Sequence, residues 1–171
     1  MRTMGGVLVI GAVLGGGGGA VAAPGKGHVT LKGDVNASFD IGVERCITMK
    51  PGDSIMNGFT FQIPHGEMIA LGIFQVAGYS GDKTYERTPA TGTAMLLSLM
   101  GVRIQKTPKQ SQSYDVDVRE KKPGTIKATV MEHGRTGNAT FEGLNVEHFG
   151  KKEGTVSGSI TWECTDVQNL R

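Results

Sequence analysis

The sequence has no excess of charge of either sign, no apolar run long enough to cross a membrane, and almost no cysteine. Its 18 Lys and Arg stand against 16 Asp and Glu, for a formal net charge of +2. That balance removes the electrostatic case for nucleic acid or an anionic membrane surface, both of which need clustered basic charge. The runs Arg119-Glu120-Lys121-Lys122 and Lys151-Lys152-Glu153 mix signs beside Pro123 and Gly150, and read as solvated turns.

The apolar stretch from Gly5 to Leu14 is rich in glycine and shorter than the ~20 residues a membrane helix needs. Arg2 precedes it, and Gly15 to Gly19 then break any helix. Ala20-Val21-Ala22 supplies a small-x-small cleavage pattern. Together these predict a signal peptide over residues 1–22 and one mature domain over 23–171. No cysteine lies near the cut, so no N-terminal lipid-modified cysteine is expected. The expectation is a secreted or periplasmic monomer with no transmembrane anchor after cleavage.

Cys46 and Cys164 are the whole cysteine complement. In an exported chain an even count predicts a disulfide, and two cysteines allow one intramolecular pairing.

No catalytic run is present either. There is no G-x-S-x-G sequence, and Ser80-Gly81 and Ser157-Gly158 fall where turn and strand geometry already account for them. A Ser-His-Asp triad would have to be assembled in space. None of His28, His65, His133 and His148 has the i, i+4 helical spacing of a zincin. Asp115 and Asp117 could serve as paired carboxylates, but alternation turns them to solvent. No cofactor is expected.

What the chain does have is period-two alternation, the signature of half-buried strands. Val29, Leu31, Val35, Ala37, Phe39, Ile41 and Val43 share one face, with a bulge or bend at Gly33-Asp34. Cys46 is out of phase with them, which demands a turn or bulge between Gly42 and Arg45. After a turn at Pro51-Gly52-Asp53, the segment Ile55 to Ile63 carries Phe59, Phe61 and Ile63 on another face. Glu67 to Val76 is nearly continuous apolar and reads as a central strand covered on both sides. Residues 93–102 suit helix or strand, with strand preferred. Residues 77–92 and 105–113 read as polar loops. Tyr114, Val116 and Val118 alternate with polar neighbours, as do Ile126, Ala128 and Val130. Ala139 and Phe141 follow, and Ile160, Trp162 and Cys164 share the last face. Glycine and proline turns separate these segments. The fold class is therefore all-β, an antiparallel sandwich or flattened barrel of about eight strands with one disulfide. No repeat or inter-domain linker interrupts it.

Two Asn-x-Ser/Thr sequons occur, Asn36-Ala-Ser38 and Asn138-Ala-Thr140, and have meaning only where secreted proteins are glycosylated. For ligand binding, the candidates are Tyr79, Asp82 and Tyr85 in the loop Tyr79-Ser-Gly-Asp-Lys-Thr-Tyr85, because aromatic loops on β scaffolds are favoured binding elements. The bland alternative is that both rings staple a hairpin. A metal alternative uses His133, His148 and Glu147.

The order of motifs resembles a class of small bacterial exported β-sandwich proteins that includes mycobacterial lipoprotein antigens. An apolar strand leads into Tyr79-Ser-Gly-Asp-Lys-Thr-Tyr85. Gly124-Thr-Ile-Lys-Ala-Thr-Val130 follows, and the chain closes on Gly154-Thr-Val-Ser-Gly-Ser-Ile-Thr-Trp-Glu-Cys164. The resemblance implies a C-terminal strand whose cysteine is bridged to an early one, and it implies no catalytic residues. This chain departs from the lipoprotein members in lacking the lipid-accepting cysteine, so the resemblance implies no anchor.

The function expected from these readings is a non-catalytic exported domain with a binding or structural role at the cell envelope or in the secreted fraction. Its ligand or protein partner is unidentified. The alternatives are a metal-binding protein or metal-dependent hydrolase, and a secreted protease inhibitor presenting loop 77–92.

Overall fold

The alternation from Val29 to Val43 is a hairpin. The computed structural model describes residues 24–49, 58–88, 90, 95–107, 110–118 and 124–170. In it, β1 (Gly25–Gly33) turns back into β2 (Ala37–Met49). Asn36 clamps the turn, its Nδ2 donating to Gly33 O at 2.9 Å. The register sets Val29 against Phe39 and Leu31 against Ala37. Opposed residues in an antiparallel ladder face the same side. Both members of each of these pairs are odd-numbered, so the pattern passes through the turn unbroken. The expected bend at Gly33-Asp34 is thus a full reversal of the chain.

The remaining strands are β3 (Gly58–Ile63), β4 (Leu71–Ala77), β5 (Lys83–Arg87), β6 (Met95–Thr107), β7 (Gln110–Val118), β8 (Thr125–Met131), β9 (Thr136–His148), β10 (Lys151–Glu163) and β11 (Gln168–Leu170). The order β10-β1-β2-β3-β4-β6-β7-β9 closes on itself because β9 also pairs with β10. The result is a flattened antiparallel barrel of eight strands whose ring is closed, although β2 pairs with β3 only from Glu44 onwards. Outside the ring, β8 pairs with β9, β5 with β8, and β11 runs parallel to β2. The expected all-β class and disulfide are both present.

Several local readings change. Residues 67–70 precede β4, and the outer face of β4 is open, with Leu71 exposed. Residues 95–102 are strand, as preferred. Residues 105–107 and 110–113, expected in a loop, are strand: they belong to β6 and β7. Residues 83–87, inside the loop expected over 77–92, form β5. The expected signal peptide, residues 55–57 of the segment expected to run from Ile55 to Ile63, and the Pro51-Gly52-Asp53 turn lie outside the described residues.

The barrel is filled by a single apolar cluster, as expected for an interior of eight strands. At one end sits Trp162, with ring centroids 5.7, 5.2 and 5.2 Å from Phe59, Phe61 and Phe74. Its indole N–H donates to Gly134 O at 3.3 Å. Across the β9–β10 ladder lies Gly137, where a Cβ would stand 2.2 Å from Trp162 Cζ2. Only glycine leaves room for the indole.

Register irregularities on β2, β6, β7, β9 and β10 shape the ring, and those on β2 and β9 have identifiable consequences. The β2–β3 register slips between Glu44 and Ile47, and Arg45 has φ 51°. This is the bulge that the phase of Cys46 demanded, and it turns Cys46 inward to Cys164, with a Cα–Cα separation of 6.2 Å. At Gly143, φ is 65°. There β9 gains a residue relative to β10, leaving β8 behind and taking up β7 as its partner.

Candidate functional site

The loop between β4 and β5 brings Tyr79, Asp82 and Tyr85 together. Tyr79 is buried, its ring 5.9 Å from both Phe59 and Tyr85. Its hydroxyl donates to Asp82 Oδ1 at 3.1 Å. The Asp82 carboxylate also accepts from His133 N at 2.8 and 3.1 Å. Tyr85 accepts from Ser80 N at 2.9 Å and donates to Gly81 O at 2.6 Å. Lys83 Nζ donates to Ser80 Oγ at 2.8 Å and sits 5.0 Å from the Tyr85 ring centroid. The polar atoms of the three residues are thus spent on holding the loop's shape and tying it to the β8–β9 junction.

This loop forms one wall of a surface cavity of about 360 Å³, lined by Thr48, Met49, Tyr79, Ser80, Gly81, Asn169 and Leu170. The opposite wall is β11, three residues that sequence reading passed over. Thr48 Oγ1 donates to Asn169 Oδ1 and fastens β11 to β2. A three-residue polar strand carries no periodic signal, so it could not be found from the sequence.

Tyr79 holds its phenolic proton well above the usual tyrosine range. Burial is the main cause, followed by the hydrogen bond and charge of Asp82 and then by Tyr85. An unfolded chain releases that proton near pH ~10, whereas the folded chain keeps it. The raised folded pKa therefore contributes stability that is intact below ~10 and declines as pH climbs above it. Tyr79→Phe is expected to flatten the alkaline fall in the urea midpoint between pH ~9 and ~11. An unchanged slope in the variant would show that another group governs it.

The metal set does not assemble. His133 precedes β9 and His148 ends it, and the 13 residues of β9 correspond to about 40 Å of extended chain. Glu147 lies at the His148 end. His148 Nδ1 donates to Ser113 O at 2.6 Å, and its ring is 5.5 Å from Tyr114 and 4.2 Å from Phe149. Among the described residues, no group of three His, Cys, Asp or Glu could hold a metal ion. The structure does not bring the set together, because the length of β9 separates His133 from His148 and Glu147. Asp115, one of the candidate paired carboxylates, accepts from Gly101 N at 2.8 Å across the β6–β7 bulge.

Sequence reading also missed Arg87, which it left in a polar loop. At 1% exposure it is the largest of the fully buried side chains among the described residues. It faces inward opposite Ile126 and donates from Nη1 to Gly124 O at 2.6 Å. Burial pulls its pKa down from the usual value. Nothing in its local sequence marked it as interior, because the strand that carries it is short.

Comparison of the chain with models of protein families, with curated proteins and with solved structures gives no match.

Proposed function

We propose that this is an exported, disulfide-bonded domain whose role is binding or structural, at the cell envelope or in the secreted fraction. The observation that carries the reading is the filled barrel. With the interior occupied by side chains, recognition falls to the surface, and the Tyr79 loop and β11 frame a concave patch there. The loop is fixed in advance by its own hydrogen bonds, so a ligand would lose little to ordering it. Export is supported by the leader-like pattern of residues 1–22 and by a disulfide of the kind that persists in oxidising compartments.

The binding reading is tested by thermal shift of the protein against sugars, fatty acids and small aromatics. A ligand at ~100 times its Kd adds about 2.7 kcal/mol. That shift is expected to disappear in Ser80→Trp, which closes the cavity while leaving the tyrosines in place. A shift that survives Ser80→Trp places binding elsewhere. No shift with any compound leaves the structural role. Export is tested by cell fractionation and N-terminal sequencing, with Ala23 expected as the first residue. An uncleaved chain retained in the cytoplasm would overturn it.

A further inference from the structure

We propose that Ser38 is a nucleophilic serine, activated by His28 and oriented through Asp40, that takes the acyl group of a small ester. The three residues stand on the outer face of the β1–β2 hairpin, where His28 and Asp40 are direct cross-strand partners. His28 Nδ1 lies 2.7 Å from Asp40 Oδ1, and His28 Nε2 lies 2.8 Å from Ser38 Oγ. An ionised carboxylate can only accept a hydrogen bond, so Nδ1 carries the proton. In the neutral ring Nε2 is then a lone pair, and the Ser38 hydroxyl must donate to it. That is the arrangement of a nucleophile, a base and an orienting carboxylate, each within hydrogen-bond reach of the next.

The surroundings suit acyl transfer. Over Ala37–Val43, β2 pairs only with β1, because its pairing with β3 begins at Glu44. Alternate backbone N–H groups on the other edge of β2 therefore take no part in the β2–β3 ladder over this stretch. Against the base lies an open surface cavity of about 540 Å³, with Gly27, His28, Asp40 and Thr161 in its lining. It has room for a small ester.

In the proposed step Ser38 Oγ attacks the carbonyl carbon and passes its proton to His28 Nε2. The tetrahedral intermediate collapses, the bond to the alcohol oxygen breaks, and His28 returns the proton to the departing alkoxide. Water then cleaves acyl-Ser38 with His28 as base. Asp40 touches no reacting atom and is a positioning residue. Its side chain is 93% exposed, so water weakens its hold on the ring. The site should therefore favour activated esters and turn over slowly. The inference goes beyond the binding reading and uses neither the Tyr79 loop nor β11, so the two can fail separately.

The test treats the whole protein with p-nitrophenyl acetate and, separately, with a fluorophosphonate. Release of p-nitrophenol is followed, and adducts are located by peptide mass mapping. One adduct per chain on Ser38 is expected. Ser38→Ala should abolish it, and His28→Gln should slow it by about 100-fold, as for loss of a positioned base. Asp40→Asn should slow it, and Asp40→Glu should recover part of the rate, with thermal midpoints unchanged because all three side chains are exposed. Labelling of Ser38→Ala at the wild-type rate, an adduct on a lysine or histidine instead, or no adduct at all overturns the proposal. An Asp40→Asn rate equal to wild type overturns the role given to Asp40.

Discussion

Replacing Cys46 and Cys164 together by alanine is expected to cost about 4–5 kcal/mol, the chain-entropy value for a bridge closing a loop of more than 100 residues. The two cysteines are 118 positions apart, so the bridge constrains most of the unfolded chain. A domain of this size has a total stability of roughly 5–15 kcal/mol. The loss would therefore be a third or more of the whole. Both sulfurs are buried, so alanine leaves a small void without an unpaired polar group. Urea denaturation of the oxidised wild type and the double variant measures the difference. A gap below ~1 kcal/mol would mean that strand pairing alone keeps β2 close to the end of β10, with the unfolded chain compact enough to gain little from a crosslink.

Trp162→Ala is expected to cost about 3–5 kcal/mol, the range for emptying a large aromatic site in a packed interior. The indole contacts three phenylalanine rings drawn from β3 and β4, across the barrel from its own strand. Its removal would also leave Gly134 O without the indole donor. Gly137 adds nothing to refill the space, because it has no side chain to move into it. Calorimetric unfolding of Trp162→Ala and Trp162→Phe separates the two contributions. The phenylalanine variant keeps most of the ring contact and is expected to lose much less. Equal losses would point to the hydrogen bond as the dominant part.

The strands were legible in the sequence wherever one face is dry and the other wet. Phe59-x-Phe61-x-Ile63 and Ile160-x-Trp162-x-Cys164 are such strands, and the structure buries these very residues. The inward turn of Cys46 was legible too, since its phase conflicted with Ile41 and Val43 and something had to absorb the extra residue. The β1–β2 reversal was hidden because its register keeps parity through the turn. The short peripheral strands β5 and β11 were hidden because three to five residues carry too little periodicity to separate from a loop.

The candidate sites show the same division. Tyr79, Asp82 and Tyr85 are close in sequence and are found together. Ser38, His28 and Asp40 are also close in number, yet their meeting depends on which residue of β1 stands opposite which residue of β2. A register is a property of two strands, and neither strand states it alone. His133 and His148 looked equivalent as His-Glu neighbours, and the length of β9 separates them.

The seam between β1 and β10 has a consequence in time. The first strand of the described chain finds its second neighbour only in the strand that ends at Glu163. During synthesis, therefore, no truncated chain can close the ring, and the hairpin of β1 and β2 must wait with one side unzipped. Long-range closure of this kind slows folding. The last step awaits residue 164, because the cysteine that seals the structure comes just after the strand that shuts it. A nascent chain of this design can close its ring only once the strand ending at Glu163 has been made.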